Sequence, residues 1–219
     1  MSASTLFVTG TDTGVGKTLV ACALLRGLRA SGARAVGYKP VASGCESTPN
    51  GLRNDDALAL QAAGSPGYGY AQINPYAFAP PIAPHLAAEQ ANRPIDTTVL
   101  DAAHARLVAS SDWVIVEGAG GWHVPLGRDT DFAGWVAERG WPVLLVVGMR
   151  LGCINHAILS ANAIAERSPL VGWIANTLDA GQACPADNIA CLENRLPAPL
   201  RAHVPNHPPP DFRLDPRGW

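Results

Sequence analysis

The nine residues Gly10-Thr11-Asp12-Thr13-Gly14-Val15-Gly16-Lys17-Thr18 constrain this chain more than any others. They follow the β-like run Thr5-Leu6-Phe7-Val8-Thr9 and precede a helical pattern from Leu19 to Arg29. A strand, a glycine-rich loop and a helix in that order form the context of a phosphate-binding loop. The glycines let backbone N–H groups turn toward an anion, and the helix adds the partial positive charge of its N-terminus. Lys17 can reach terminal phosphates as a point charge, and the Thr18 hydroxyl can ligate Mg²⁺. Five residues separate Gly10 from Gly16, where the usual pattern has four. The competing reading is a glycine-rich turn before an ordinary helix; the Gly-Lys-Thr ending and the flanking pattern favour the phosphate loop.

The chain of 219 residues is long enough for one α/β domain over 1–219, since such folds reach about 250 residues undivided. A net charge of −2 gives no basic field for nucleic acid or membrane. The longest strongly apolar run, Trp141 to Met149, is broken by Pro142 and is too short to span a bilayer. No basic segment followed by an apolar one opens the chain, so no signal peptide is expected. The five cysteines, Cys22, Cys45, Cys153, Cys184 and Cys191, form no C-x-x-C pair. Their odd number and scatter predict a reduced, cytoplasmic protein without a disulfide framework or zinc site. Cys22, in a helical pattern, reads as a small core residue.

Apolar strand patterns alternate with helical ones. Strands are expected at Leu6–Thr9, Ala33–Tyr38, Asp112–Glu117, Pro142–Val147, Leu170–Asn176 and Leu200–Val204. Helices are expected at Lys17–Ala30, Asp55–Ala63 with Asn54 as cap, Pro84–Asn92, Thr97–Ala109, Thr130–Arg139, Asn155–Arg167 and Ala186–Asn194. Gly64–Pro84 reads as a loop, and the Pro-rich tail from about 206 as irregular. The alternation predicts an α/β fold with a mostly parallel central sheet and helices on both faces.

Ligands of such sheets bind at the carboxyl ends of the strands. Besides the phosphate loop, Lys39, Glu117 and Asn176 follow strands. A carboxylate at Glu117, near phosphates, calls for a cation, and Mg²⁺ provides one. The glycines after it, in Gly118-Ala119-Gly120-Gly121, allow close approach of a ligand. Lys39 adds a cation beside the loop that can stabilise a transferring phosphoryl group. Asp55 and Asp56 open a helix, and the sequence leaves open whether either serves Mg²⁺ or both only favour the helix N-terminus. His85, His104, His123 and His156 lack ligand spacing and read as hydrogen-bonding or surface residues.

At this point a family resemblance becomes visible. Phe7–Thr13 with Gly16-Lys17-Thr18, then Gly37-Tyr38-Lys39-Pro40-Val41-Ala42-Ser43-Gly44, resemble the ATP-dependent dethiobiotin synthetases. So do Leu52-Arg53-Asn54 with Asp56-Ala57-Leu58, Asn74-Pro75-Tyr76, Pro84-His85, Val116–Trp122 and Leu151–His156. The motifs run in order over about residues 5 to 205. The resemblance implies a P-loop NTPase-like fold and a cyclo-ligase. It would join 7,8-diaminopelargonate, CO₂ (or bicarbonate) and ATP into dethiobiotin through a carbamate and a carbamic–phosphoric anhydride. It implies that Thr13, Gly14, Val15, Gly16, Lys17, Thr18 and Leu19 cradle the phosphates, with Gly118, Ala119 and Gly120 nearby. It gives Mg²⁺ to Thr18, Asp56 and Glu117, catalytic roles to Lys17 and Lys39, and a substrate contact to Ser43. It gives the substrate's carboxylate tail to Gly152, Cys153, Ile154 and Asn155 at the interface of a homodimer. Adenine contacts fall on Asn176 with Thr177, and on Pro205, Asn206 and His207.

The chain departs from the family pattern past Pro205, where Pro208-Pro209-Pro210 forbids the helix expected near the end. Lys39, read as a strand-end loop residue, is expected to be replaceable by Ala without harm to the fold but with loss of most turnover. The alternative function is a ParA/MinD-like ATPase switch. Asp12 stands where such ATPases carry a second lysine, and no amphipathic membrane helix is present.

Overall fold

The computed structural model describes residues 3–179, 181 and 185–219; Cys184 lies outside them. In chain order the elements begin β1 (Ser4–Gly10), α1 (Lys17–Ala30), β2 (Ala35–Tyr38), β3 (Val41–Ala42), β4 (Glu46–Thr48) and β5 (Gly51–Arg53). They continue α2 (Asp55–Ala63), α3 (Tyr70–Ile73), β6 (Tyr76–Ala77), α4 (Pro84–Gln90), α5 (Thr97–Val108) and β7 (Trp113–Glu117). The last are α6 (Phe132–Ala137), β8 (Val143–Met149), α7 (Cys153–Ala165), β9 (Leu170–Thr177), α8 (Pro185–Glu193) and β10 (Leu200–Val204).

Among the described residues, six strands form one sheet in the order β10-β9-β8-β1-β7-β2, with every pair parallel. The period of two along each strand divides the core. Phe7, Val114, Val116, Leu145 and Val147 pack on one side, with Leu100 of α5, Phe132 and Trp135 of α6, and Ile164 of α7. Leu6, Val8, Ile115, Leu144 and Val146 pack on the other, with Val20, Leu24 and Leu28 of α1 and Leu60 of α2. Strands buried on both faces carry near-continuous aliphatic runs, as β8 does with all seven residues buried.

Parallel strands bring their carboxyl ends to one edge, and the register aligns the groups there. Val8 lies beside Glu117, Tyr38 beside Val116, and Gly10 beside Val146. Lys39, Glu117 and the loop after Gly10 therefore emerge together, whereas in the sequence Lys17, Lys39 and Glu117 lie 22 to 100 residues apart.

Several boundaries differ from expectation for local reasons. α6 begins at Phe132, not Thr130, because the Asp131 carboxylate accepts the Gly134 N–H at 2.7 Å and so caps the helix. The stretch expected as a loop from Gly64 to Pro84 holds α3 and β6, and β6 pairs in parallel with β3. The hairpin of β4 and β5 has the exposed pattern of short surface strands and carries no alternation that would announce it. Asn54 caps α2 as expected, its side chain accepting from Ala57 N–H at 3.2 Å.

From Pro205 the tail has neither helix nor strand. It is nonetheless anchored: Leu214 N–H donates to the Ala23 carbonyl at 3.0 Å, and Leu214, Phe212 and Trp219 pack on the α1 side of the core. Gly27 of α1 makes this possible, since a Cβ there would lie 1.9 Å from the Leu214 carbonyl oxygen. Gly27→Ala gains helix propensity worth only about 1 kcal/mol. It is expected to expel the tail: limited proteolysis should cut the variant between 205 and 219 well before the wild type, and cleavage at equal rates would refute the clamp.

Candidate active site

A cavity of about 430 Å³ opens at the carboxyl edge of the sheet. It is lined by Thr13, Gly14, Gly16, Lys17, Thr18, Lys39, Ala42, Ser43, Asn54, Asp56, Glu117, Ala119 and Gly120. Eleven of these are expected site residues, among them every one assigned to catalysis or metal. Val15 and Gly118 sit behind the wall: Val15 is buried at 1% exposure, and a Cβ on Gly118 would lie 2.8 Å from the Phe7 ring. The Leu19 side chain packs on the core, so only its backbone can face a phosphate.

The loop hands over to α1 at Gly16, whose φ of 92° is the left-handed region. Lys17 then starts the helix and reaches back, its Nζ donating to the Asp12 carbonyl at 2.9 Å. Burial, followed by the nearby Lys39 charge, depresses the Lys17 pKa to about 8. Asp12, to which sequence reasoning gave no structural role, stiffens the loop. One oxygen accepts the Thr13 N–H at 2.7 Å, and the other pairs with Arg150 after β8.

Lys39 follows β2 in a loop, as expected, but it is not the peripheral lysine that its replaceability by Ala presumed. It is 3% exposed, and its Nζ lies 2.7 Å from Glu117 Oε1 and 2.8 Å from Asp56 Oδ2. Burial disfavours its charge, but Glu117 and Asp56 together outweigh that and raise its pKa. Asp56 is likewise raised by burial and, in net, lowered by Lys39. The Thr18 hydroxyl is 2.8 Å from Asp56 Oδ1 and 2.9 Å from Glu117 Oε1. Asp56 thus faces the cavity, and the adjacent Asp55 does not line it.

A second network, unforeseen in the sequence, fixes Lys39 itself. Asn74 Nδ2 donates to the Lys39 carbonyl at 2.8 Å, and the Tyr70 hydroxyl donates to Asn74 Oδ1 at 2.9 Å. The same hydroxyl accepts the Asn54 N–H at 2.8 Å, which links Lys39 to the start of α2 and so to Asp56. Asn74 is 3% exposed, so its amide must be bonded within the protein. Its place in an Asn-Pro-Tyr motif was the available signal.

Thr18, Asp56 and Glu117 supply oxygen donors suited to a hard divalent cation. Glu117 Oε2 is buried and accepts no hydrogen bond among the described residues, the mark of a carboxylate with coordination left over. The donor set therefore fits Mg²⁺.

The remaining candidates lie outside this cavity. Gly152 caps α7 with a φ of 93°, and Cys153, Ile154 and Asn155 form its first turn. Asn176 and Thr177 end β9, where Asn176 is buried and the Thr177 hydroxyl meets His203 Nε2 at 2.7 Å. Pro205 and His207 are exposed and Asn206 half-buried, and His207 has a φ of 55°. His123, exposed, pairs with Asp131 at 2.8 Å. Among the described residues no three His, Cys, Asp or Glu side chains cluster to hold a metal.

Comparison with known proteins places these features. Solved structures similar in fold include the septum site-determining protein MinD complexed with Mg-ADP from Pyrococcus horikoshii OT3. Its TM-score is 0.58 at 14% identity, covering 94% of this chain and 82% of that one. A ParA family ATPase from Chlorobium tepidum TLS gives 0.58 at 15% identity, covering 93% and 85%. At such identity the likeness shows the fold alone, a P-loop NTPase-like parallel sheet. A family model described as an AAA domain matches residues 4–211. The ATP-dependent dethiobiotin synthetase BioD 1 of Escherichia coli (strain K12) is 50% identical over 200 residues, 91% of this chain and 89% of its own length. The ATP-dependent dethiobiotin synthetase BioD of Xylella fastidiosa (strain 9a5c) is 52% identical over 210 residues, 95% and 93%. Identity of this extent, carried by a chain whose phosphate loop, two lysines and two carboxylates meet in one cavity, shows that the chain belongs to the dethiobiotin synthetase family.

Proposed function

We propose that this chain is an ATP-dependent dethiobiotin synthase, a single-domain enzyme that closes a ureido ring on 7,8-diaminopelargonate. The observation that carries the reading is the convergence of Lys17, Lys39, Thr18, Asp56, Glu117 and Ser43 on one cavity. ATP is the co-substrate, its phosphates held by the loop from Thr13 to Thr18. One amine of the diamine takes up CO₂ as a carbamate. The carbamate oxygen attacks the γ-phosphorus and ADP leaves, giving a carbamic–phosphoric anhydride. The second amine then attacks the carbamoyl carbon, phosphate leaves, and the five-membered urea closes.

Lys17 and Lys39 place positive charge where the carbamate and phosphoryl oxygens gather negative charge. Ser43 offers a hydroxyl to the diamine or the carbamate. Thr18, Asp56 and Glu117 would hold Mg²⁺, which would supply charge neutralisation to the phosphates. Adenine falls to Asn176, Thr177 and the 205–207 segment; the bond from Asn176 Nδ2 to the Val15 carbonyl, 2.8 Å, supports placing the base at the end of β9. No helix among the described residues is long and apolar enough to cross a membrane. ADP release that depends on diaminopelargonate tests this reading against a ParA/MinD-like switch, which would hydrolyse ATP without the diamine.

The enzyme works as a homodimer in this reading. Leu151 is fully exposed and Leu159 is 62% exposed, beside the half-buried Ile154 and Ile158 of α7. An apolar strip of this kind next to Gly152–Asn155 supports burial against a second copy. Analytical ultracentrifugation should give twice the chain mass, and Leu159→Asp should halve it. A wild-type monomer would remove the dimer and the shared tail site together.

A further inference from the structure

The geometry points to Asn176 as a positioning residue for the phosphate loop: its amide sets the direction of the Val15–Gly16 peptide, so that the Gly16 N–H faces the bound phosphate. This goes beyond any contact with adenine, and it rests on the phosphate-loop reading above.

Asn176 is held between two strands, its backbone in register with Gly148 of β8 and Val204 of β10. It is 6% exposed, and its Nδ2 donates to the Val15 carbonyl at 2.8 Å. A trans peptide points its C=O and N–H in opposite directions. Fixing the Val15 carbonyl against Asn176 therefore turns the Gly16 N–H away from Asn176, and Gly16 lines the cavity. The approach is close: a Cβ on Gly16 would lie 2.1 Å from Asn176 Nδ2. The Val15 side chain completes the hold. It fills a slot where a Cβ on Gly10 would come within 2.5 Å of it, and one on Gly148 within 2.8 Å. The loop is thus seated from below by one side chain and one carbonyl, and its donors are oriented before any anion arrives. An asparagine amide has two N–H donors and one acceptor oxygen. The loop bond uses one donor and leaves the rest for a base.

The test compares wild type with Asn176→Leu, which keeps the branched shape and removes the donor, and with Asn176→Ala. Inorganic tripolyphosphate, which has no base, and ATP are titrated with Mg²⁺ by calorimetry, and the Gly16 amide is followed by ¹⁵N NMR. Tripolyphosphate affinity is expected to fall about tenfold in both variants, the worth of one well-placed hydrogen bond. The downfield shift of the Gly16 amide on anion binding should shrink with it. Unchanged tripolyphosphate binding with weakened ATP binding would overturn the inference, because Asn176 would then read only the base. Unfolding of both variants would overturn it too, making the amide a core element rather than a loop positioner. Failure of the wild type to bind either anion would instead sink the phosphate-loop reading itself.

Discussion

Lys39→Ala is expected to lose about 10³-fold in turnover and, unlike most active-site changes, to lose stability as well. The second effect follows from burial. Glu117 is 0% exposed, and Lys39 Nζ is its partner at 2.7 Å. Removing one member of a buried pair leaves the other charge uncompensated, which costs about 3–5 kcal/mol. Asp56, with its side chain 43% exposed, adds little because water can solvate it. Urea unfolding without metal should show the loss, and added Mg²⁺ should recover part of it by supplying a new counter-charge to Glu117. A variant as stable as wild type would remove the ion pair from the account.

Lys17→Met should behave in the opposite way on stability. Lys17 is also buried, at 6% exposure, but its bond is to the neutral Asp12 carbonyl. Burial and the Lys39 charge depress its pKa to about 8, so the fold disfavours this cation. An apolar chain of similar length removes that conflict, and the variant should melt at or above the wild-type temperature. Turnover should still fall about 10³-fold, because the charge is needed once phosphates are present. Two lysines in one cavity would thus give equal losses of activity and opposite changes in melting temperature. A common destabilisation would show that the electrostatic distinction between them is wrong.

The contrast also marks where sequence reading ends. The phosphate loop, α1, the cap at Asn54 and the alternation of strands and helices were legible because each is a local signal: glycine spacing, a 3.6 period, a capping side chain. Family resemblance placed Asp56 rather than Asp55 in the site, and the position of Asp56 in the cavity agrees with it. The burial of Lys39 was not legible, because it is imposed by Glu117 from 78 residues away through the register of β7 with β2. The two-residue strands β3 and β6 escaped notice because they are too short for any period. The tail reads as irregular, and it is, but its clamp over Gly27 is a tertiary contact between an extended chain and a helix gap. Asn74 has no legible role within Asn74-Pro75-Tyr76, because only the fold sets its amide on the Lys39 carbonyl.

The central claim is that this cavity closes a ureido ring at the expense of ATP. Mass spectrometry on purified protein tests it most directly, with diaminopelargonate, bicarbonate, Mg²⁺ and ATP each omitted in turn. The account predicts a product heavier than the diamine by one carbon and one oxygen and lighter by two hydrogens, with one ADP per product and none when any component is missing. ATP hydrolysis that proceeds without the diamine and yields no such product would contradict it.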